Sequence, residues 1–204
     1  MICIIPCAGF GKRMGMKKNQ SKEMLPDTDF KNDHIIDYSI NICRTLEIEP
    51  IVVTRKEKKD LINYLKEKKV KYIIFNPNEH NEWYDSVLAS QAHWDEDNLL
   101  ILPDTRFLPI FPTISDIKKG LELGNEAVFA VHKVNDPQNW GIIKDYSLFE
   151  KPENMEGPQR AWGLIGFKKS YGFNLFSRMK MKNQELEHAG FVYLNSFLDI
   201  TRGK

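Results

Sequence analysis

Two hydrophobic rhythms alternate along the first two thirds of the chain. Residues 2–6 (ICIIP) form an unbroken apolar run, the pattern of a short strand buried on both faces. At 34–46 (HIIDYSINICRTL), Ile36, Ile40, Cys43 and Leu46 recur at helical spacing. PIVVTR at 50–55 predicts a second buried strand. The stretch 56–70 predicts an amphipathic helix with Leu61, Ile62 and Leu65 inward. KYIIFN at 71–76 reads as a third strand, 83–94 as a helix, NLLILPD at 98–104 as a fourth strand, 114–123 as a helix and 126–134 as a fifth strand. Strands alternating with helices across short connections predict a parallel sheet covered by helices on both faces. Such sheets bind ligands beyond the carboxyl ends of their strands. The loops at 6–27 and 103–109 follow strands at ends of that kind.

Beyond about residue 135 the rhythm changes. WGIIKDYSLFEKPE at 140–153 and RAWGLIGFKK at 160–169 alternate apolar and polar residues among glycines and a proline, so they predict antiparallel or mixed strands laid onto the sheet. A final helix-like segment covers 182–194. There is no internal repeat and no low-complexity linker. The expectation is one domain over 1–204, an α/β part at 1–134 followed by a mixed part at 135–204.

Composition narrows the function. With 42% apolar and 28% charged residues, the 204-residue chain should fold to a globular domain with a real core. A formal net charge of +1 offers no global basic field, which argues against a nucleic-acid or membrane surface as the main partner. No stretch approaches the roughly 18 apolar residues of a membrane-spanning helix. Met1 leads straight into a strand-like run without the features of a signal peptide. Three cysteines, Cys3, Cys7 and Cys43, with no zinc-type spacing, fit reduced thiols in a cytoplasmic protein. The Lys-rich stretch 56–71 also carries Glu57, Asp60 and Glu67 and reads as a solvated helix face.

The chemistry is concentrated in IIPCAGFGKRM at 4–14. A strand that runs into a loop both Gly-rich and basic brings backbone N–H groups and positive charge to one place, and the expected guest is an anion. A Walker A loop is ruled out. It would need glycine at Pro6 and a Ser or Thr at Arg13. The dinucleotide pattern begins at Gly9 and Gly11 but meets Met14 where its third glycine belongs.

PCAGFGKRM followed by SKEMLP at 21–26 resembles instead the nucleotidyltransferases that make nucleotide-activated sugars and related alcohol phosphates. The matching positions are Ala8, Gly9, Gly11, Arg13, Met14, Lys22, Leu25 and Pro26. KEMLP is similar to the bacterial UTP–glucose-1-phosphate uridylyltransferases; GKRM and DSVLAS are similar to the cytidylyltransferases that act on methylerythritol phosphate. The likeness runs from residue 2 to about 170. It implies a mostly parallel, doubly wound α/β sheet of nucleotidyltransferase (Rossmann-like) type, with an added mixed or antiparallel acceptor-binding part. The implied partners are an NTP, bound by 1–134, and a phosphorylated small molecule, bound by 135–204. Self-association into a homo-oligomer is left open, although the chain lacks the tail through which many such proteins dimerise.

The resemblance also implies roles. Arg13 and Lys22 become the catalytic cations on the α-phosphate, and Ala8, Gly9, Gly11 and Lys12 the phosphate loop. Glycines let the backbone approach a triphosphate, Arg13 offers a fixed fork of donors, and Lys22 a mobile point charge. Asp104, ending LLILPD, becomes a ligand of Mg²⁺, the implied cofactor, against the alternative of a turn residue after Pro103. Asp85 and Ser86 fall where the base is read; Ser86 either bonds the base or caps the helix. Gly141, Glu150, Lys151 and Trp162 fall on the acceptor side, with Lys151 toward the acceptor phosphate; core packing is the alternative for Trp140 and Trp162.

Three departures stand out. Ser21 replaces the usual proline before the lysine, which predicts a looser loop. Lys12 replaces the commoner threonine. The second metal-binding aspartate has only Asp199, in FLDITRGK, to represent it: either Asp199 reaches the sheet edge beside Asp104, or 190–200 is a helix and the ligand is missing. The reaction implied is attack of a phosphate monoester, a sugar 1-phosphate first, on an NTP with release of pyrophosphate. The alternatives are a cytidylyltransferase using an alcohol phosphate such as phosphocholine or methylerythritol phosphate, and a non-catalytic nucleotide-sugar-binding regulator.

Overall fold

A computed structural model gives the fold and describes every residue other than 12, 13, 16, 18, 29–31, 79, 180, 182, 183, 195 and 200–204, with 196–199 described by backbone alone. The chain forms two compact units. One comprises Met1–Trp94 and Leu100–Asp104, which Asp199 joins; the other comprises Asp95–Leu99 and Thr105–Leu198.

In the first unit β1 (Ile2–Pro6) is followed by α1 (Ile35–Thr45), β2 (Glu49–Thr54), α2 (Lys59–Glu67), β3 (Lys71–Ile74) and α3 (Trp83–Leu88). β1 pairs parallel with β2, Ile4 opposite Ile51, and β2 pairs parallel with β3, Val53 opposite Ile73. Ile2–Ile5 and Ile51–Val53 are buried, so both faces of these strands are covered, as the unbroken apolar runs predict. β4 (Asp97–Ile101) lies on the other side of β1, and the chain passes from one unit to the other within it. α1 starts through a capping box in which the His34 N–H donates to the Asp37 carboxylate at 3.0 Å. Leu61 and Leu65 of α2 are buried one turn apart. All three cysteines are buried free thiols.

The second unit contains β5 (Thr105–Leu108), α4 (Ile110–Glu122), β6 (Ala127–Val134), β7 (Gly141–Lys144), β8 (Ser147–Glu150), β9 (Gln159–Lys168), α5 (Lys169–Arg178), β10 (Gln184–Glu185), β11 (Ala189–Tyr193) and all but the last residue of β12 (Ser196–Asp199). β9 pairs antiparallel with both β6 and β7, and β8 pairs antiparallel with β7 and β10. β11 adds parallel to β6, with Phe191 opposite Phe129. The fold is thus mixed α/β, parallel strands joined by antiparallel ones.

The structure corrects several expectations. The segment 182–194 is not helical: where described, it holds β10 and β11, and β11 is fixed by pairing with β6 far away in sequence. The helix expected over 83–94 ends at Leu88, followed by a 3₁₀ turn at Gln91–His93. The loop expected at 103–109 contains β5, which pairs with β12. α5 was not anticipated. Among the described residues no helix is long and apolar enough to cross a membrane.

Candidate active site

The Gly-rich loop begins where β1 stops. Cys7 still donates its N–H to the Val53 carbonyl at 2.7 Å, and the chain then leaves the sheet. Gly11 has φ +65°, a left-handed conformation that glycine adopts without a Cβ penalty, and its carbonyl accepts the Met14 N–H at 3.0 Å to close the turn. Gly9 is different. Its backbone is not left-handed, and a Cβ built on it meets nothing within 4 Å among the described residues. Among the described residues neither a left-handed backbone nor packing calls for glycine at position 9, and the missing side chain leaves the backbone open there. Ala8 is buried. Lys12 and Arg13 lie outside the described residues.

Residues Lys22–Met24 form one 3₁₀ turn. From it Lys22 reaches Asp104, which lies 82 positions along the chain in the turn after β4; Nζ is 2.5 Å from Oδ2. The two side chains are 21% and 17% exposed, so the pair is reachable from solvent. Burial by itself would lower the Lys22 ammonium. The Asp104 and Glu23 carboxylates outweigh that and hold it above its ordinary value, so it is a cation at neutral pH. The Cys7 thiol, pushed up by burial, feels Glu23, Lys58, Lys22 and Asp104 together, which places all four charges around the start of the loop.

Two features here escaped the sequence reading. Lys58 belongs to the stretch expected as a solvated face, yet it is 1% exposed and paired to the fully buried Glu23, Nζ to Oε2 at 2.7 Å. Arg55, also fully buried, lays its guanidinium over the Phe10 ring at 4.4 Å, which packs the loop against the end of β2. The signal for Glu23 was its place directly after Lys22; nothing in a run of lysines singles out Lys58. Ser21 is also corrected. In place of a looser loop, its N–H and Oγ–H both donate to the Asp60 carboxylate, at 3.1 and 2.6 Å.

The other candidates divide. Asp85 closes the capping box of α3, accepting the Glu82 N–H at 2.9 Å, and Ser86, inside the helix, donates to the Trp83 carbonyl at 2.5 Å. Of the two roles open to Ser86, the structure removes the cap, a position Glu82 holds. In the second unit Gly141, Glu150 and Trp162 come together: Gly141 pairs with Glu150, and a Cβ on Gly141 would lie 2.0 Å from Trp162 Nε1 and 3.0 Å from Glu150 Oε2. Lys151, left-handed at φ +47°, turns its ammonium to Glu150 at 3.4 Å. Asp199 ends strand β12, which removes the helical alternative; its side chain lies outside the described residues.

Among the described residues no three His, Cys, Asp or Glu side chains gather as a metal site would require. Mg²⁺, however, commonly takes one or two protein carboxylates and completes its shell with phosphate oxygens and water. Asp104, a part-exposed carboxylate already holding one cation, fits as such a ligand.

No protein-family profile and no curated protein matches the sequence. Solved structures do match. A protein from Bacillus anthracis assigned as a glucose-1-phosphate thymidylyltransferase, solved with sucrose, superposes with a TM-score of 0.74 over 98% of this chain and 89% of that one, at 17% identity. The chain has the nucleotidyltransferase fold. A UDP-glucose pyrophosphorylase bound to UDP-glucose superposes with a TM-score of 0.67 over 87% of this chain and 80% of that one, at 19% identity. At such identities the likeness is one of fold.

Proposed function

We propose that this chain is a Mg²⁺-dependent nucleotidyltransferase that joins an NTP to a phosphate monoester, a sugar 1-phosphate first, and releases pyrophosphate. The observation that carries the reading is the Lys22–Asp104 pair, drawn from 82 positions apart to the mouth of a Gly-rich loop. The fold shared with proteins named for that chemistry supports it.

An oxygen of the acceptor's phosphate forms a bond to the α-phosphorus of the NTP. The bond from that phosphorus to the bridging oxygen breaks, and its electron pair leaves with pyrophosphate. No covalent enzyme intermediate is needed, so catalysis is positioning and charge neutralisation. Backbone N–H groups around Gly9 and Gly11 cradle the triphosphate. Lys22 keeps its proton and exchanges Asp104 for the α-phosphate oxygens, where charge develops. Asp104 would hold Mg²⁺, which when bound neutralises phosphate oxygens. On the acceptor side, the Glu150 carboxylate, beside Gly141 and the Trp162 indole, would receive hydroxyl groups, and Lys151 the acceptor phosphate.

The test is a panel assay of pyrophosphate release. Four NTPs are crossed with phosphorylated sugars and alcohols, phosphocholine and methylerythritol phosphate included, across a magnesium titration. Turnover is expected with at least one sugar 1-phosphate, and Asp104→Asn should abolish that magnesium-dependent turnover with the fold intact. No release from any combination overturns the reading. Turnover with an alcohol phosphate alone makes the chain a cytidylyltransferase-type enzyme. Asp104→Asn at full activity across the titration makes Asp104 only a turn residue.

A further inference from the structure

We propose that the start of α2 is a clamp that sets the position of Lys22, with Lys58 and Asp60 as its positioning residues; the catalytic part of this inference rests on the function proposed above. The helix start holds Lys22 from both sides in sequence. Before it, the Ser21 N–H and Oγ–H donate to the two oxygens of Asp60, at 3.1 and 2.6 Å. After it, Glu23 is paired to Lys58 at 2.7 Å. Lys22, between these two held residues, is left to project toward Asp104. Lys58 makes a further bond: its ammonium donates to the Cys7 carbonyl at 2.7 Å, at the first residue beyond β1. One helix start therefore ties together the lysine-bearing turn and the beginning of the Gly-rich loop.

Stability does not account for this arrangement. A fully buried ion pair loses most of its Coulombic gain to desolvation, and an apolar pair of the same volume commonly serves a core as well or better. What an ion pair with an extra hydrogen bond supplies is geometry, because it is satisfied only in one arrangement. Lys22 needs geometry. Its ammonium sits on a flexible four-carbon stem, so its location depends on where the backbone is held. The Ser21–Asp60 bonds have the same consequence: a proline before the lysine would restrict the chain by its ring, whereas here a serine restricts it through two donors, one of them an N–H that proline lacks.

The experiment uses the full-length chain. Asp60 is an exposed residue, so Asp60→Ala should fold. Amide hydrogen exchange is followed at Met24 and Leu25, whose N–H groups close the turn onto Ser21 and Lys22 at 3.0 and 3.1 Å. Steady-state kinetics run in parallel on the best substrate pair. Asp60→Ala should speed exchange at both amides by about tenfold or more while β1 and β2 stay protected. It should lower kcat by about ten- to a hundredfold, with KM for NTP within about twofold, as expected when a charge is misplaced by a fraction of an ångström to 1 Å. Asp60→Asn, which keeps one acceptor oxygen, should fall between. The double variant Glu23→Gln/Lys58→Met removes both buried charges at similar volume and should repeat the pattern. Unchanged exchange in Asp60→Ala overturns the clamp, and faster exchange with unchanged kcat overturns its positioning role. A wild-type chain inactive on every substrate pair instead overturns the proposed function, and the exchange measurement then decides the clamp alone.

Discussion

Gly9→Ala separates folding from function. The structure gives the new methyl group open space, with nothing within 4 Å among the described residues, on a backbone outside the left-handed region. The folded state therefore tolerates it, while the unfolded chain loses conformational freedom. The expected result is a stability gain of about 0.4–1 kcal/mol, or about 1–4 °C in Tm for a chain of this length. The NTP complex should respond in the opposite direction. If the triphosphate approaches the loop backbone closely enough to accept its N–H bonds, a Cβ at position 9 stands in its path. Losing one hydrogen bond to a charged oxygen costs about 1.5–3 kcal/mol, which is about ten- to a hundredfold in Kd. Calorimetric titration with NTP beside thermal unfolding of the same preparations reads both quantities. A variant that is as stable as expected and still binds every NTP at the wild-type Kd refutes the argument that position 9 is kept bare for a phosphate.

Lys22→Ala should lower kcat by about a hundredfold, the effect of removing one preorganised charge, while raising KM for NTP far less; a near-normal kcat in steady-state assays removes Lys22 from the catalytic set. Gly141→Ala places a methyl group 2.0 Å from the buried Trp162 ring and should cost about 1–3 kcal/mol in urea unfolding by overpacking. It should also raise the acceptor's KM without touching that of the NTP. His132, buried on β6 with Trp140 edge-on at 5.5 Å, is lowered by burial to about 4, with Asp136 pulling the other way. The unfolded chain takes up this proton near pH 6.5, so His132 leaves stability intact above about 6.5 and removes it as the pH falls toward 4, by about 3 kcal/mol at most. Urea midpoints at pH 7.5 and 4.5 should therefore fall less in His132→Gln than in the wild type; equal falls would show that other groups drive the acid loss.

What the sequence determined by itself is what local spacing encodes. The unbroken run at Ile2–Ile5 requires cover on both faces, and Leu61 and Leu65 require one helix face inward, whatever the rest of the chain does. The loop signature around Gly9 and Gly11, Lys22 in KEMLP and Asp104 at the end of an apolar run were legible for the same reason: each sits in a short motif with its own chemistry. Tertiary structure decided the rest. β11 was misread because a five-residue strand that pairs with Phe129 and its neighbours takes its conformation from that distant strand. α5 was missed because its buried residues, Tyr171, Leu175 and Phe176, are interleaved with a glycine and polar residues that weaken the local pattern. Lys58 was read as solvated because lysine is solvated unless a partner is buried with it. That partner, Glu23, stands 35 positions away, and only the folded chain brings the two charges together where water is excluded.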